Sequence, residues 1–337
     1  MFAINRRQTL GLLAGASALP LFSMPALAKT KITVGALRFT SHSASFVAYE
    51  RGYFAEVGLD VTFKFFQAAQ PMAVAIASRD ADYAVTAISG GLISLAEKGA
   101  AKVIGGALSE ETGIDGQKIL ASKDAFAGGL TSPAGLDGKT FAVTQAGSSF
   151  HYMGSKIAGA EGASLKFKPL QKVGAIIGAL KTSQVDAWTI VPHIAKPLSK
   201  AGAVHIIGDV ADYLPNYQVT TVFTSADNAA KERAQTEAFL SAFSRGAADF
   251  NAALVDKTAG DAAAEDMVKL IHKYVYVDRP YEKASVSIRN GAMRINEGAA
   301  MNATSIRDQL DWFKSEKLVK DSVGFETLVD ASYVKTL

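Results

Sequence analysis

The sequence predicts an α/β protein of two lobes that close like a clamshell, each a mostly parallel sheet flanked by helices, joined by a two-strand hinge. Three observations carry this. Strand-like and helix-like segments alternate from residue 30 to residue 208, the pattern of βαβ units and parallel sheets. The alternating unit is written twice, over 30–108 and over 139–208, which implies two lobes of similar wiring. The remainder is helical and brings no sheet of its own to cover.

The chain opens MFAINRRQTLGLLAGASALPLFSMPALAKT. Arg6 and Arg7 precede an apolar run, Leu10 to Leu21, that is too short to span a bilayer as a mature helix, and Ala26 to Ala28 form a small-residue cleavage signal. Residues 1–28 therefore read as an export signal cut after Ala28. The order RRQTL favours twin-arginine export over the general secretory route. No other apolar run reaches the roughly 18 residues that a spanning helix needs. The sequence has no cysteine, so it offers no disulfide, no thiolate metal site and no cysteine nucleophile. A lipid anchor at the cleavage site would also require one, so we expect a released periplasmic protein with no membrane insertion. Lys and Arg number 35 against 32 Asp and Glu. Two of the arginines lie in the leader, so the rest is close to neutral and presents no nucleic-acid surface. About 300 residues past the leader exceed what one hydrophobic core usually fills.

The first unit runs strand KITVGAL, a helix around ASFVAYERGYFAEVG, strand LDVTFKFF, helix PMAVAIASRD, strand DYAVTAI, helix GGLISLAEKGA and strand AKVIGGAL. The second runs KTFAVTQ, SFHYMGSKIAGAEG, LKFKPL, VGAIIGALKTSQ, DAWTIV, IAKPLSKAG and AVHIIG in the same alternation. Extended runs leave each unit, Gln117 to Asp124 and Tyr217 to Ser225. The segments NAAKERAQTEAFLSAFSRGAADFNAAL, AEDMVKLIHKYVYV, YEKASVSIRNGAMRIN and SIRDQLDWFKSEKLV have apolar residues at helical spacing. The economical path sends this tail back to the first unit. Lobe 1 is then 30–118 with 224–337, and lobe 2 is 119–223.

The segments GYFAEVGLDVTF, GGLISLAEKGA, GLDGKTFAVTQAGSSFHY and VDAWTIVPHIAKPL resemble the periplasmic binding proteins of taurine, alkanesulfonate and nitrate ABC importers. Their superfamily also holds binders of the thiamine pyrimidine precursor and the enzymes that make it. The resemblance covers most of 30–225 and implies a type II periplasmic binding protein fold. It further implies a monomer that takes a small organic anion, sulfonate or carboxylate, between its lobes. Its partner would be an ABC permease with its ATPase, and no cofactor, metal or catalysis would be involved. A sensor presenting its solute to a receptor kinase would share this fold. An enzyme like the pyrimidine-precursor synthases fits less well, since those rely on a cysteine-rich motif.

In open α/β sheets, ligands bind at the carboxyl ends of strands, where helices begin. In TQAGSSFHY, Ser148 and Ser149 follow a strand and open a helix, whose first N–H groups lack intrahelical partners and favour negative charge. Gly147 permits close approach of a ligand to the backbone. Ser148 can also cap its own helix. The stretch lacks the Gly-x-Ser-x-Gly of a nucleophile elbow and the Gly-Lys-Ser/Thr of a phosphate loop. His151 either meets the ligand or packs within its lobe, and Gln145 ends the strand on the cleft side. After the first strand come Arg38, Thr40, Ser41 and His42. Arg38 is suited to pairing an acid group bidentately, although an exposed loop arginine reads the same way. Gln67 follows the second strand, and Ser89 with Gly90 repeats the Ser148 pattern. Trp188 suits a lobe core or a cleft wall; His193 is assigned to the cleft, and Tyr217 and Thr220 to the hinge side. The five histidines show no metal-ligand spacing.

Overall fold

The computed structural model describes residues 29–337; the export signal expected at 1–28 lies outside the described residues. Ten strands follow the anticipated order. They are β1 (Thr30–Leu37), β2 (Leu59–Phe66), β3 (Tyr83–Thr86), β4 (Ala101–Gly106), β5 (Lys118–Ser122), β6 (Thr140–Val143), β7 (Lys166–Pro169), β8 (Ala187–Ile190), β9 (Val204–Asp209) and β10 (Thr221–Ser225). They form two five-stranded sheets, ordered β2-β1-β3-β10-β4 and β7-β6-β8-β5-β9. Each sheet holds its unit's four strands in the spatial order second, first, third, fourth. The strand that arrives from the other lobe inserts between the third and fourth. The visitors β5 and β10 pair antiparallel on both sides, which makes each sheet mixed. The first-second and first-third pairings are parallel. Both visitors carry a register shift at the same place in their pairing with the fourth strand, at Val222/Phe223 and at Ile119/Leu120. The repeat read in the sequence therefore extends to a bulge.

The crossings leave β4 through 107–117 and enter β10 through 210–220, and they run side by side. Ala107 N donates to Thr220 O at 3.0 Å, Val219 N to Leu108 O at 2.9 Å and Glu110 N to Tyr217 O at 2.9 Å. Gln218, fully buried, donates through Nε2 to the carbonyls of Leu108 (3.1 Å) and Thr220 (2.9 Å). Its Oε1 accepts from Asn296 Nδ2 (3.0 Å) and Asn302 N (2.8 Å). Every hydrogen-bonding site of this amide is used, so burying it costs little, and the crossings are tied to the tail.

The tail covers the first sheet through the helix Arg233–Phe250, which packs on the helix Ser43–Glu50. Close contact depends on Gly246, where a Cβ would come within 2.2 Å of Ala44 O and 2.8 Å of Ala48 N. The later tail helices depart from the sequence reading by straddling both lobes. Tyr281–Arg289 packs on the second-lobe helix Pro192–Lys200, and Ala303–Ser315 on the second-lobe helix Ser149–Ala160. The run expected to be one helix to Asn296 stops at Arg289, because Ile295 bridges Leu108 in the crossing instead.

Candidate functional site

The carboxyl ends of β1, β3, β6 and β8 meet around an inter-lobe cavity of about 60 Å³. Ser41 and His42 line it after β1, Thr86 ends β3, and Thr144, Ser148 and Ser149 follow β6. Leu108, Val219 and Thr220 of the crossings close its floor, and Phe39, Phe150, Ile190 and Val191 supply apolar wall. None of its lining residues is Lys, Arg, Asp or Glu. It adjoins an outer cavity of about 620 Å³ at the cleft mouth, with which it shares Leu37, Phe39 and Val173.

Ser148 is the cap of the helix Ser149–Ala160 and also lines the cavity: its Oγ accepts from His151 N at 3.4 Å. The two readings of this serine coexist. Ser89 caps the helix Gly90–Glu97 in the same way, accepting from Leu92 N at 3.2 Å. The two helix starts face each other, and Gly90 N donates to Gly147 O across the cleft at 2.9 Å. Gly147 sits at φ 70, a conformation that suits glycine and is costly for other residues. Its own N–H donates to His151 Nδ1 at 3.1 Å, and Ser148 N donates to Gln145 O at 3.2 Å. Much of the donor capacity at these helix starts is thus already used within the protein.

The short turn Thr40–His42 is anchored to the tail by Thr40 Oγ1, which donates to Gly291 O at 3.3 Å. His42 Nδ1 lies 3.0 Å from Ser41 Oγ, while its Nε2 is buried without a partner. Burial pushes the His42 pKa down to about 4, so the cavity holds a neutral imidazole.

His193 opens the helix Pro192–Lys200 and lines the outer cavity, T-stacked on Phe39 at 5.4 Å. Tyr276 Oη donates to His193 O at 2.7 Å and lies 2.9 Å from His193 Nδ1. A hydroxyl has one proton, so Nδ1–H must donate to Tyr276, which leaves Nε2 a bare acceptor. That Nε2 is buried and unpartnered. Burial, the largest cause, holds the ring's pKa down at about 3, and the Arg279 charge acts in the same direction.

Arg38 and Gln67 fall in the outer cavity, both exposed. The Arg38 guanidinium stacks 3.8 Å from the Phe65 ring centroid and donates to Tyr274 O at 3.1 Å. His151 packs between Phe167 (4.2 Å) and Trp312 (5.1 Å), and burial lowers its pKa. Trp188 is fully buried in the second lobe beside Phe150. Tyr217 is buried against Tyr152 at 5.3 Å; its hydroxyl is unpartnered, and burial raises its pKa. Thr220 reaches the inner cavity, its Oγ1 accepting from Leu108 N at 2.9 Å. Sequence reasoning missed Thr86 and Thr144, although their position at strand ends was a usable signal. It also missed Tyr276, Arg279 and Gly291, which tertiary packing brings from the tail and no local pattern marks.

A larger hollow of about 710 Å³ lies behind the crossings, lined by Glu110, Glu111, Asp256 and Arg294 among others. Its arginine is already paired with Glu111 (2.8 Å) and Asp256 (2.6 Å), so it offers no free cation. Among the described residues no group of three or more His, Cys, Asp or Glu is placed to hold a metal ion, and no helix is long and apolar enough to cross a membrane.

The family model described as "NMT1/THI5 like" matches residues 39–253. No curated protein matches the sequence. Solved structures do. An alkanesulfonate-binding protein from Xanthomonas axonopodis pv. citri, bound to MOPS, is 16% identical with a TM-score of 0.71, over 90% of this chain and 100% of its own. The periplasmic nitrate-binding protein of Synechocystis PCC 6803 is 14% identical with a TM-score of 0.64, over 89% and 84%. A Candida albicans protein described as having the generic periplasmic binding protein fold is 15% identical with a TM-score of 0.68, over 91% and 98%. At these identities the likeness establishes the fold.

Proposed function

The chain belongs to the NMT1/THI5-like family, and from that premise we propose that it is the solute-capturing component of an ABC importer. It takes a small organic anion, a sulfonate or carboxylate, into the cleft between its lobes and delivers it to a permease. The two lobes with their paired crossings serve as domains and hinge. The export signal read in the sequence places the mature chain in the periplasm. The sulfonate-binding and nitrate-binding proteins that share its fold support this reading.

The observation that carries it is the cleft. Strand ends from both sheets converge on one inter-lobe cavity, and Gly90 N donates to Gly147 O between the two helix starts at 2.9 Å. A solute enclosed there loses its water, and each hydrogen bond to it strengthens in the low local dielectric. The inner lining offers hydroxyls, an amide and a neutral imidazole but no acid, which is the chemistry of capture.

The test is thermal unfolding of the purified protein with a panel of aliphatic and aromatic sulfonates, carboxylates and nitrate. A ligand at about 100 times its Kd stabilises by about 2.7 kcal/mol, a shift of several degrees. We expect at least one organic acid to give such a shift; an unchanged unfolding curve across the panel would sink solute capture.

A further inference from the structure

The tail helix Ala303–Ser315 is bound by groups that belong to opposite lobes. Its first turns are fixed to the crossing that enters β10: Ser305 Oγ accepts from Gln218 N at 2.9 Å, and Gln309 Nε2 donates to Gln218 O at 3.1 Å. The chain that follows it returns to the first lobe. There Lys320 Nζ donates to Glu97 Oε1 at 2.7 Å, and Asp330 N donates to Val103 O at 2.9 Å. Asp308 and Trp312, however, meet the second-lobe helix Ser149–Ala160. Tyr152 Oη donates to Asp308 Oδ2 at 2.5 Å, and Lys156 Nζ donates to Oδ1 at 2.9 Å. Both carboxylate oxygens of one tail residue are thus held by the other lobe. Trp312 packs beside them, edge-on to His151 at 5.1 Å and to Tyr152 at 5.4 Å. Tyr152 is 2% exposed, and among the described residues its hydroxyl bonds Asp308 alone. Burial, then this bond, raises its pKa, so the phenol keeps its proton and donates. The buried Phe313 lies 3.5 Å from where a Cβ on Gly147 would sit and 3.6 Å from one on Gly90. One helix therefore touches both of the helix starts that face each other across the cleft.

We propose that this helix is a clasp: Asp308, by holding Tyr152 and Lys156, keeps the two lobes closed without help from a solute. The proposal goes beyond solute capture, and its test uses no solute, so its failure leaves that reading standing. A hydroxyl that donates to a carboxylate makes a charge-assisted bond, about twice as strong as a neutral pair. Opening the lobes must break that bond and the Lys156 pair together, and it must expose the rings of Tyr152 and Trp312 to water. A clasp raises the fraction of closed molecules, and the apparent affinity for a solute held by the closed form rises with that fraction. Asp308 acts on the site only through the helix that it positions, since it lines neither cavity of the cleft.

The sequence has no cysteine, so a pair of spin labels can be placed cleanly at Lys64→Cys and Gly178→Cys. Both sites are exposed, and a Cβ at Gly178 meets nothing within 4 Å. Their neighbours Phe65 and Ile177 line the outer cavity from the first and the second lobe. Dipolar spectroscopy of the labelled protein, with no solute added, gives the distribution of lobe separations. We expect most molecules at the short separation of the closed lobes. Asp308→Ala is expected to raise the open-to-closed ratio by about tenfold. Tyr152→Phe removes the same bond from the other lobe, keeps the ring, and is expected to shift the ratio in the same direction. Val268→Ala, a core truncation in the helix Asp261–His272, is expected to lower the melting temperature and leave the separations unchanged. Mainly long separations in the labelled parent would overturn the proposal. So would separations that neither Asp308→Ala nor Tyr152→Phe alters, or that Val268→Ala alters as much.

Discussion

At the scale of single residues, the site is governed by what is left neutral and unpaired. His42 and His193 are buried with free Nε2 atoms, and burial depresses both pKa values, to about 4 and about 3. A depressed folded-state pKa means that the unfolded chain binds protons first. Their contribution is therefore whole above about 6.5 and is lost as pH falls toward 4. Glu110, in the crossing, acts with the opposite sign. Burial raises its carboxyl to about 7, against partial compensation by hydrogen bonds from Gln117 and the charge of Lys118. Its contribution is whole below about 4.5 and is lost as pH rises through 7. Wild-type protein should melt at progressively lower temperature below about pH 6.5, and Glu110→Gln should gain on wild type as pH rises from 4.5 to 7. Melting curves across that range check both; parallel curves for the two proteins would contradict the assignment of Glu110. The serine caps were legible because strand, Gly-Ser-Ser and helix lie within a dozen residues. The fate of His151 was not, because Trp312, which closes over it, is distant in sequence.

At the scale of elements, closure depends on how tail segments meet second-lobe helices. The loop after Tyr281–Arg289 brings Gly291 against the start of the helix Pro192–Lys200. There a Cβ would lie 2.2 Å from His193 Cβ and 2.6 Å from its N. No side chain fits without moving the helix away. Gly291→Ala should therefore displace His193 and its bond to Tyr276, weakening ligand binding by about tenfold or more, with a stability cost of about 1–3 kcal/mol from overpacking. Titration and melting of the variant measure both; unchanged affinity would show that this contact does not set the cleft. The sequence announced the strands and their alternation because each strand's pattern is local. It did not announce that helices 281–289 and 303–315 would touch the second lobe. Amphipathic spacing shows that a face is buried but not against what.

At the scale of the whole molecule, two copies of one α/β unit exchange a strand each, and the exchange builds the clamshell. Because β5 and β10 insert at equivalent places in opposite sheets, the crossings must lie side by side, and the strand ends of both units face one gap. That geometry was readable from the repeat and the two extended runs. The chemistry of the gap was only half readable, since its mouth is finished by Tyr276 and Arg279 from the tail. The measurement that bears most directly on solute capture is a crystal structure with the organic acid that gives the largest thermal shift. The account predicts the ligand between the lobes, enclosed by residues that follow β1, β6 and β8. Ligand bound behind the crossings near Arg294, or elsewhere on the surface with the cleft empty, would contradict it.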